Sequence, residues 1–486
     1  MRLYKLFIDG KWISSSSRKT FISKNPANLK PLGKFYLGNK NDVDKAVDAA
    51  KKALPLWSET PAPKRGEILL KIAQLLKRDK EKLAKIMTQE MGKVLNESRG
   101  DVQEAIDVFE YMAGEGRRLF GNTTPSELKN KFCMTIRIPI GVVGIITPWN
   151  FPIAIPAWKL SAALICGNTC IFKPSSDTPL CAVELVKILN EAGIPKGVVN
   201  LVTGSGNEAG TAIIKHKDIR GISFTGNVET GKFILKNAGI KKIGLELGGK
   251  NPIIVMDDAD LDLAIDGIIW GGFGTTGQRC TAASRVIVHK KVKNKLERLL
   301  LKRIKRLRIG DGLNKRTDIG PLVNEKAVEK TEKYVNIGKK EGAKLLYGGE
   351  KTKMKGCFYK PTLFTNVKRN MRIAKEEIFG PFVSIIPVKN LNEAIETAND
   401  VNYGLSSAIY TENISNAFKA IEKIEAGLTY VNSSTIGSEV HLPFGGVKET
   451  GNGTREGGIF AIDEFSEIKT VYFDYSGNLQ KAQGIK

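Results

Sequence analysis

Short apolar runs alternate with longer amphipathic runs from residue 141 onward. The apolar runs GVVGIIT, TCIFKP and GVVNLVTG are separated by the amphipathic runs IPAWKLSAAL and LCAVELVKIL. This alternation is the βαβ rhythm of a parallel sheet that is covered by helices. Further strands are predicted at residues 221–224, 242–247 and 252–256. The pattern therefore predicts an α/β fold.

A second α/β unit is predicted after residues 248–249, a glycine pair at which we place the domain boundary. The unit begins with a long helix from Asp260, continues with the strand RVIVH from Arg285, and then enters a basic helix. The last apolar alternation, at residues 468–475, predicts a strand that leaves the body of the chain. Such a terminal strand commonly pairs with a partner subunit.

The composition is that of a globular protein. The chain has 486 residues, of which 42% are hydrophobic and 26% are charged, enough for two or more domains. Because no run of eighteen uncharged apolar residues occurs and charges interrupt residues 1–12, we expect neither a membrane span nor a signal peptide. Six scattered cysteines do not make a disulfide scaffold and indicate reduced thiols in the cytoplasm.

The formal net charge of +24 raises the alternative of a nucleic-acid partner, since clustered lysine and arginine attract phosphates. The clustering is weak, however. The densest basic run, residues 302–308, carries Leu300, Ile304 and Leu307 at helical spacing. We therefore favour an amphipathic helix with a solvated basic face over a nucleic-acid site.

Two segments resemble phosphate-binding turns. TGSGNEAG, directly after a predicted strand, fits G-x-G-x-x-A with Gly204, Gly206 and Ala209. The acidic residue expected about twenty positions later is not clear, so an ordinary tight turn explains the segment equally well. In FTGNVETGK, Asn227 is a good N-cap for the helix that follows, and the free N–H groups of that helix can hold a pyrophosphate.

Cys280 is the candidate nucleophile. It lies in the polar, glycine-flanked segment FGTTGQRCTAASR, where the neighbouring Arg279 favours the thiolate. Cys166, Cys170 and Cys181 lie in apolar stretches and are predicted to be small core residues.

Glu246 is the candidate general base. It lies in LELGGKN among apolar residues, where burial raises the pKa of a carboxyl toward that role. A carboxylate tied into backbone hydrogen bonds is the alternative interpretation.

Six motifs together resemble the aldehyde dehydrogenase superfamily, and the resemblance covers nearly the whole chain. They are ITPWNFP at 146–152, FKPSSDTP at 172–179, FTGNVETGK at 224–232, LELGGKNP at 245–252, GQRC at 277–280 and EEIFGP at 376–381. PFGGVKETGNG at 443–453 and the closing AQGIK resemble the antiquitin-type branch, which oxidises semialdehydes.

The resemblance implies an aldehyde dehydrogenase-like fold with three parts. The expected parts are a Rossmann-like coenzyme domain of residues 1–120, 140–247 and 449–465, an α/β catalytic domain of residues 248–448, and a small β oligomerisation element of residues 121–139 and 466–486. A homodimer or homotetramer is expected, and no metal site is predicted.

The resemblance also implies NAD(P)-dependent oxidation of an aldehyde to a carboxylic acid. Cys280 is expected to attack the aldehyde, while the side-chain amide of Asn150 and the backbone N–H of Cys280 hold the oxyanion. Glu246 is expected to activate the water that hydrolyses the resulting thioester. Lys159 and Glu456 resemble the residues that relay the proton outward.

The cofactor is expected to be NADP or NAD. The residues that the resemblance assigns are Trp149 and Lys173 at the adenosine ribose, Gly226 and Asn227 at the pyrophosphate, and Glu377 and Phe379 at the nicotinamide ribose and ring. In this superfamily the phosphates rest on the helix opened by FTG, so the Gly204 turn is mostly a decoy. Ser176 replaces a glutamate that NAD-selective relatives often carry, which indicates use of NADP.

Phe151, Trp158 and Arg279 are expected to line the substrate funnel. Arg279 suits an aldehyde with a distant carboxylate or phosphate, and a structural ion pair is the equally weighted alternative. Trp158 stands where bacterial-type succinic semialdehyde enzymes tend to carry arginine, which counts mildly against that substrate.

Two rivals within the superfamily can be weighed from the residues that the chain retains. Acyl transfer to coenzyme A is disfavoured because such relatives usually lack the glutamate at position 246. An inactive family member is disfavoured because Asn150, Glu246 and Cys280 are all present.

Overall fold

The computed structural model describes residues 1–483; residues 484–486, which end the AQGIK motif and the predicted oligomerisation element, lie outside it. The strands are β1 (Leu3–Tyr4), β2 (Leu6–Ile8), β3 (Lys11–Ile13), β4 (Thr20–Lys24), β5 (Pro31–Tyr36), β6 (Thr123–Pro125), β7 (Lys131–Pro139), β8 (Val142–Ile146), β9 (Thr169–Lys173), β10 (Val199–Leu201), β11 (Gly221–Thr225), β12 (Lys242–Glu246), β13 (Asn251–Val255), β14 (Ala283–His289), β15 (Lys344–Tyr347), β16 (Thr362–Thr365), β17 (Phe382–Val388), β18 (Tyr403–Gly404), β19 (Ser406–Tyr410), β20 (Leu428–Val431), β21 (Val447–Lys448) and β22 (Ser466–Asp474).

The α-helices are α1 (Lys40–Glu59), α2 (Ala62–Arg78), α3 (Lys80–Met91), α4 (Leu95–Glu115), α5 (Ala154–Ile165), α6 (Pro179–Ala192), α7 (Thr211–Lys215), α8 (Val228–Asn237), α9 (Leu261–Phe273), α10 (Lys290–Ile304), α11 (Glu325–Lys340), α12 (Arg372–Lys375), α13 (Leu391–Asn399), α14 (Ile414–Lys423) and α15 (Phe460–Phe465). A π-helical turn at Gly206–Gly210 and a short 3₁₀ segment at Gly274–Gly277 complete the helical elements.

The first large sheet has the strand order β12-β11-β8-β9-β10-β2-β3. Its strands from β12 to β10 are parallel, and β2 and β3 add an antiparallel edge. The chain starts the parallel part at β8, winds through β9 and β10 to one side, and then crosses to β11 and β12 on the other. A doubly wound sheet of this kind binds ligands beyond the carboxyl ends of its strands, where the winding reverses.

The second large sheet has the order β15-β16-β17-β14-β13-β19-β20 and is parallel except for the β15–β16 pair. Its strands β13, β14 and β19 are almost entirely buried, which explains their nearly continuous apolar sequences. Residues 248–249 lie between β12, the last strand of the first sheet, and β13. The residue limits given above for the coenzyme domain, the catalytic domain and the oligomerisation element remain a proposal.

A third sheet, of order β22-β7-β6, stands apart from the two large ones. The sequence predicted a terminal strand that leaves the body of the chain. The observed strand, β22, pairs antiparallel with β7 of the same chain along its whole length. Its other side is an edge of the sheet. Large apolar side chains of this sheet are exposed, namely Phe132, Ile136, Ile468, Tyr472 and Phe473.

The predicted α/β class is confirmed, and the ends of the predicted strands lie within three residues of the observed ones. Asp260 caps the helix that was predicted to begin there, because its carboxylate accepts hydrogen bonds from the first backbone N–H groups of α9. The prediction of a helix over residues 302–308 is wrong in its second half. Helix α10 ends at Ile304, and Arg308 instead pairs with Asp318 through its side chain and its backbone N–H. As for membranes, none of the helices in residues 1–483 combines the length and the apolar character that a span requires.

Candidate active site

A cleft of about 510 Å³ opens beyond the carboxyl ends of β8, β9, β10 and β11. This is the position that the winding of the sheet predicts for a ligand. The cleft is lined by all seven residues expected to bind the cofactor: Trp149, Lys173, Ser176, Gly226, Asn227, Glu377 and Phe379. Asn150 and Cys280 line it as well.

Helix α8 begins at this cleft. The side chain of Asn227 caps the helix by accepting a hydrogen bond from Thr230 N at 2.8 Å. A helix N-terminus presents unpaired N–H groups and the positive end of the helix dipole, so this end of the cleft suits a pyrophosphate. Gly206 and Gly210 of the other glycine-rich turn border the same cleft.

Lys173 and Ser176 lie at the end of the cleft formed by β9. Lys173 is 4% exposed, and burial lowers its pKa to about 8. Its Nζ donates to Pro174 O at 2.9 Å. The Ser176 hydroxyl donates to Gly204 O at 3.0 Å. This hydrogen bond connects the turn after β9 to the glycine-rich turn after β10.

Glu377 and Phe379 reach the cleft from the second sheet's side. Glu377 Oε1 accepts a hydrogen bond from Gly249 N at 3.0 Å, yet burial still raises the pKa of this carboxyl. Phe379 has a left-handed backbone, with φ of 62°, and its ring meets Trp149 edge to face at 5.4 Å between centroids. The ring pair joins Trp149, which follows β8 of the first sheet, to Phe379, which precedes β17 of the second.

Two buried hydroxyls in the cleft have no partner. Thr147 Oγ1 and Thr225 Oγ1 make no hydrogen bond within the described chain, although both residues line the cleft. A buried polar atom normally finds a partner, so these hydroxyls indicate space for a polar ligand. Together with the start of α8 and the buried lysine, they fit a dinucleotide.

A second cavity, of about 120 Å³, meets the cleft at Cys280. Cys280, Thr225 and Leu247 line both spaces. The second cavity is also lined by the expected substrate residues Phe151, Trp158 and Arg279 and by Glu246 and Glu456. The thiol therefore stands between the proposed cofactor cleft and a smaller space of mixed apolar and charged character.

The loop before Cys280 is held in an unusual backbone conformation. Thr275, Thr276 and Gly277 have φ angles of 51°, 58° and 68°, all in the left-handed region. A Cβ at Gly277 would lie 2.1 Å from Gly380 O, so no other residue fits there. After the turn, Asn251 Nδ2 donates to Cys280 O at 2.7 Å.

The structure corrects the prediction that Arg279 favours the thiolate. Burial raises the pKa of Cys280 to about 12, and the charges of Glu246 and Glu377 raise it further. Arg279 Nε donates to Thr275 Oγ1 at 2.9 Å, and Nη2 lies 3.3 Å from Glu97 Oε1. Its charge is thus compensated by a carboxylate and not directed at the sulfur. The prediction for Cys166, Cys170 and Cys181 is confirmed, because all three are buried.

Glu246 is 4% exposed, and neither of its carboxyl oxygens has a hydrogen-bond partner in the described part of the chain. The alternative of a carboxylate tied to the backbone is therefore wrong. Burial raises the pKa of Glu246 well above its usual value, the charge of Glu456 adds to the rise, and Lys159 opposes it. A raised pKa makes the ionised carboxylate a stronger proton acceptor, which is the property expected of a general base.

Lys159 lies behind the second cavity. Its ammonium contacts the carboxylate of Glu456 and donates to Ser223 Oγ at 2.8 Å. The lysine side chain is 0% exposed and that of Glu456 is 8% exposed. The structure thus brings together Lys159, Glu456 and Glu246, which lie far apart in sequence.

Glu104 is a cavity residue that the sequence analysis missed. Burial and the charge of Asp101 raise its pKa to about 7, and Arg279 opposes the rise. The missed signal was helical spacing. On α4, Glu97, Asp101 and Glu104 are four and three residues apart, so they share the face turned toward Arg279.

Comparison with known proteins gives a consistent picture. The sequence model of the aldehyde dehydrogenase family matches residues 12–471 of this chain. The chain is 43% identical to a 2,5-dioxopentanoate dehydrogenase from Saccharolobus solfataricus, covering 97% of this chain and 99% of that one. It is 41% identical to an alpha-ketoglutaric semialdehyde dehydrogenase from Bacillus subtilis, covering 96% and 98%. The structure of betaine aldehyde dehydrogenase from Staphylococcus aureus in complex with NAD⁺ superposes with a TM-score of 0.96 at 36% identity, covering 99% and 97%.

The position of Cys280 predicts its reactivity toward thiol reagents. It is the one partly exposed cysteine, and the other five are buried, so iodoacetamide should alkylate it first. Because its pKa is raised to about 12, the alkylation rate should rise with pH from about 7 to about 10 without a plateau. Peptide mass mapping over time measures both effects. The Cys280→Ala variant serves as the control, and a plateau near neutral pH would contradict the electrostatics described above.

Proposed function

The chain belongs to the aldehyde dehydrogenase family, a family of NAD(P)-dependent oxidoreductases, and on this premise we propose that it oxidises a carboxylated semialdehyde through a thioester on Cys280. One observation carries the proposal. Cys280 lies where the large cleft meets the smaller cavity, and the buried, unbonded carboxyl of Glu246 lines that cavity. A nucleophile and a base are therefore placed at one junction.

In the first step the Cys280 thiol gives up its proton to water in the cavity, Sγ attacks the aldehyde carbon, and the carbonyl π electrons move to the oxygen, which forms the thiohemiacetal oxyanion. The side-chain amide of Asn150, which is 3% exposed and lines the cleft, and the backbone N–H of Cys280 are proposed to hold the oxyanion. The cofactor, when bound in the cleft, supplies the oxidant that converts the thiohemiacetal into a thioester. Trp149, Lys173, Gly226, Asn227, Glu377 and Phe379 are the residues proposed to hold it.

In the second step Glu246 takes a proton from a water molecule, and the water oxygen attacks the thioester carbon. The carbon–sulfur bond breaks with its electron pair on Cys280, and the carboxylic acid leaves. Glu246 must be ionised to act, and its pKa is raised, so this step should accelerate as pH rises through that pKa. The presence of Glu246 favours hydrolysis over acyl transfer to coenzyme A.

Substitution of the base separates the two steps. The Glu246→Gln variant should retain a single burst of reduced cofactor and lose at least about a hundredfold in steady-state turnover, because only the hydrolysis needs the base. Stopped-flow absorbance at the reduced-nicotinamide band records both phases. The exposed Glu110→Gln variant is the control for loss of one carboxylate. An equal loss of burst and turnover would contradict the role of Glu246.

The substrate class is proposed from Arg279. Its guanidinium lines the second cavity, and Nη1 donates no hydrogen bond to residues 1–483, so that nitrogen can meet a substrate carboxylate. Two relatives named for oxoacid semialdehydes support this class. The structural neighbour named for betaine aldehyde, which is a cation, shows that the fold itself does not decide the charge of the substrate.

Replacement of Arg279 tests the substrate class. Arg279→Ala should lower kcat/KM for a semialdehyde acid about ten- to a hundredfold, the value of one charge-assisted hydrogen bond, and barely change it for an unbranched neutral aldehyde of similar length. Steady-state assays with both substrates measure the ratio. Equal losses on both would show that the Arg279–Glu97 pair only supports the Cys280 loop.

The cofactor preference is proposed from Ser176 and Lys173. Both line the cleft, and neither carries the negative charge that would repel a 2′-phosphate. The Ser176 hydroxyl, now donating to Gly204 O, must turn to donate to that phosphate. We therefore propose that NADP⁺ is used alongside NAD⁺.

A carboxylate at position 176 should reverse this preference. Ser176→Glu should lower the ratio of kcat/KM for NADP⁺ to that for NAD⁺ by about tenfold or more, through repulsion of the phosphate and acceptance of ribose hydroxyls. The two cofactors are compared at one aldehyde concentration. Ser176→Ala is the uncharged control, and a wild type that rejects NADP⁺ would refute the argument.

Assembly and location are proposed from two further features. The exposed apolar side chains of the third sheet, and the free edge of β22, support a homodimer or homotetramer. All six cysteines are free thiols, which suits the reducing conditions of the cytoplasm.

A further inference from the structure

A third buried carboxyl lies behind Glu246 and Glu456. Glu464, on α15, is 5% exposed, and neither of its oxygens has a hydrogen-bond partner of normal geometry in the described chain. The carboxyl packs against Gly244 of β12, where a Cβ would lie 2.1 Å from Glu464 Oε1. The missing side chain at position 244 therefore makes room for the acid.

The surroundings of Glu464 connect it to the proposed base. Lys159 of α5, Glu456 and Lys242 of β12 act on it electrostatically, and the hydroxyl of Ser223 of β11 lies within reach of its carboxyl. Lys159 Nζ donates to Ser223 Oγ, which leaves the hydroxyl hydrogen of Ser223 for the Glu464 carboxyl. The charge of Glu464 in turn raises the pKa of Glu246.

The fully buried charges of this cluster do not balance if every acid is ionised. Glu246, Glu456 and Glu464 would place three negative charges around the one buried ammonium of Lys159. Arg455 opposes the rise in pKa of Glu246 and Lys242 that of Glu464, but both cations are only half-buried. An uncompensated buried charge is costly, so the cluster holds at least one proton near neutral pH. Burial raises the pKa of Glu464 to about 7, so near neutral pH this acid exchanges between its ionised and protonated forms and can accept a proton when it is ionised.

Lys242 marks the route to the surface. Its Nζ donates to the backbone carbonyls of Asp463 and Ser466, which flank Glu464 in sequence, and the contact with Asp463 is exposed to solvent. Glu456 contacts Lys159, Lys159 donates to Ser223, and Glu246 and Glu464 both lie within electrostatic reach of Lys159 and Glu456.

We propose that Glu464 is a positioning residue for the base, taking up the proton that leaves Glu246 and releasing it at the surface beside Lys242. This inference rests on the proposed role of Glu246. Hydrolysis of the thioester by water yields a carboxylate, the Cys280 thiol and one proton, so one proton must leave the site in this step. The proton passes from Glu246 through Glu456, Lys159 and Ser223 to Glu464, and no electrons are transferred.

The near-isosteric Glu464→Gln variant tests the proposal because it keeps the packing and removes the proton site. We expect an unchanged burst of reduced cofactor and a kcat about tenfold lower, a smaller loss than for the base itself. The acid limb of the kcat–pH profile should move to lower pH, because the charge that raises the pKa of Glu246 is gone. Turnover is normalised to the burst, so only competent sites are counted.

Two variants serve as controls. Glu110→Gln removes an exposed carboxylate outside both the cluster and the third sheet and should behave as the wild type. Glu464→Asp keeps an ionisable group, so its kcat should lie between those of the wild type and the glutamine variant, with the acid limb in place. It also provides the test if the glutamine variant does not fold. An aspartate variant as slow as the glutamine variant would show that packing alone matters, and would overturn the proposal.

The remaining outcomes separate the two proposals. A Glu464→Gln enzyme with the kcat and pH profile of the wild type overturns the role of Glu464. A shifted acid limb with full kcat also overturns it, since Glu464 would then act only as a fixed charge. If Glu246→Gln loses burst and turnover equally, the proposed function fails by itself, whatever Glu464 does.

Discussion

The ammonium of Lys159 is the charge on which the proposed chemistry of this protein depends. It is fully buried on α5, contacts Glu456 and Ser223, and opposes the rise in pKa of both Glu246 and Glu464. These partners come from two neighbouring strands, a C-terminal loop and a C-terminal helix. A buried ammonium is tolerated only when it is paired, and here its partners include the carboxyls that we propose to handle protons. The same interaction therefore ties the C-terminal segment to the first sheet and opposes the effect of burial on the pKa values of Glu246 and Glu464.

The topology of the two sheets determines where the cleft and the loop of Cys280 lie. In the first sheet the chain leaves β8 in one direction and returns to β11 on the other side, which opens the cleft at the strand ends. The second sheet begins at β13 directly afterwards, and its first residue, Asn251, holds the carbonyls of Cys280 and Ala282 and accepts from Ser406 N. One side chain thus fixes the nucleophile's loop against the strand that follows the proposed base.

The parts of the site that follow local rules could be predicted from the sequence. Strand and helix rhythm, the N-cap Asn227, and the polar segment around Cys280 are all readable within about ten residues. The effect of Arg279 was misjudged because its partner, Glu97, is 182 positions away. The proposed role of Glu464 could not be predicted for a similar reason. It depends on Gly244 and Lys159, which are distant in sequence and are brought near Glu464 only by the fold. The periodicity of hydrophobic positions does not indicate which charged residues, far apart in sequence, will pair in the fold.

The high pKa of Cys280 and the high pKa of Glu246 are two aspects of one constraint. Each anion opposes the other, because Glu246 raises the pKa of the thiol and burial penalises both charges. Keeping one of the two groups protonated costs less than forming two anions side by side. Once the sulfur is held in a thioester it carries no charge, so Glu246 can then ionise without an anion beside it. Each proton that the base takes from water must still leave the site, and the lysine-centred cluster behind Glu246 is the proposed outlet.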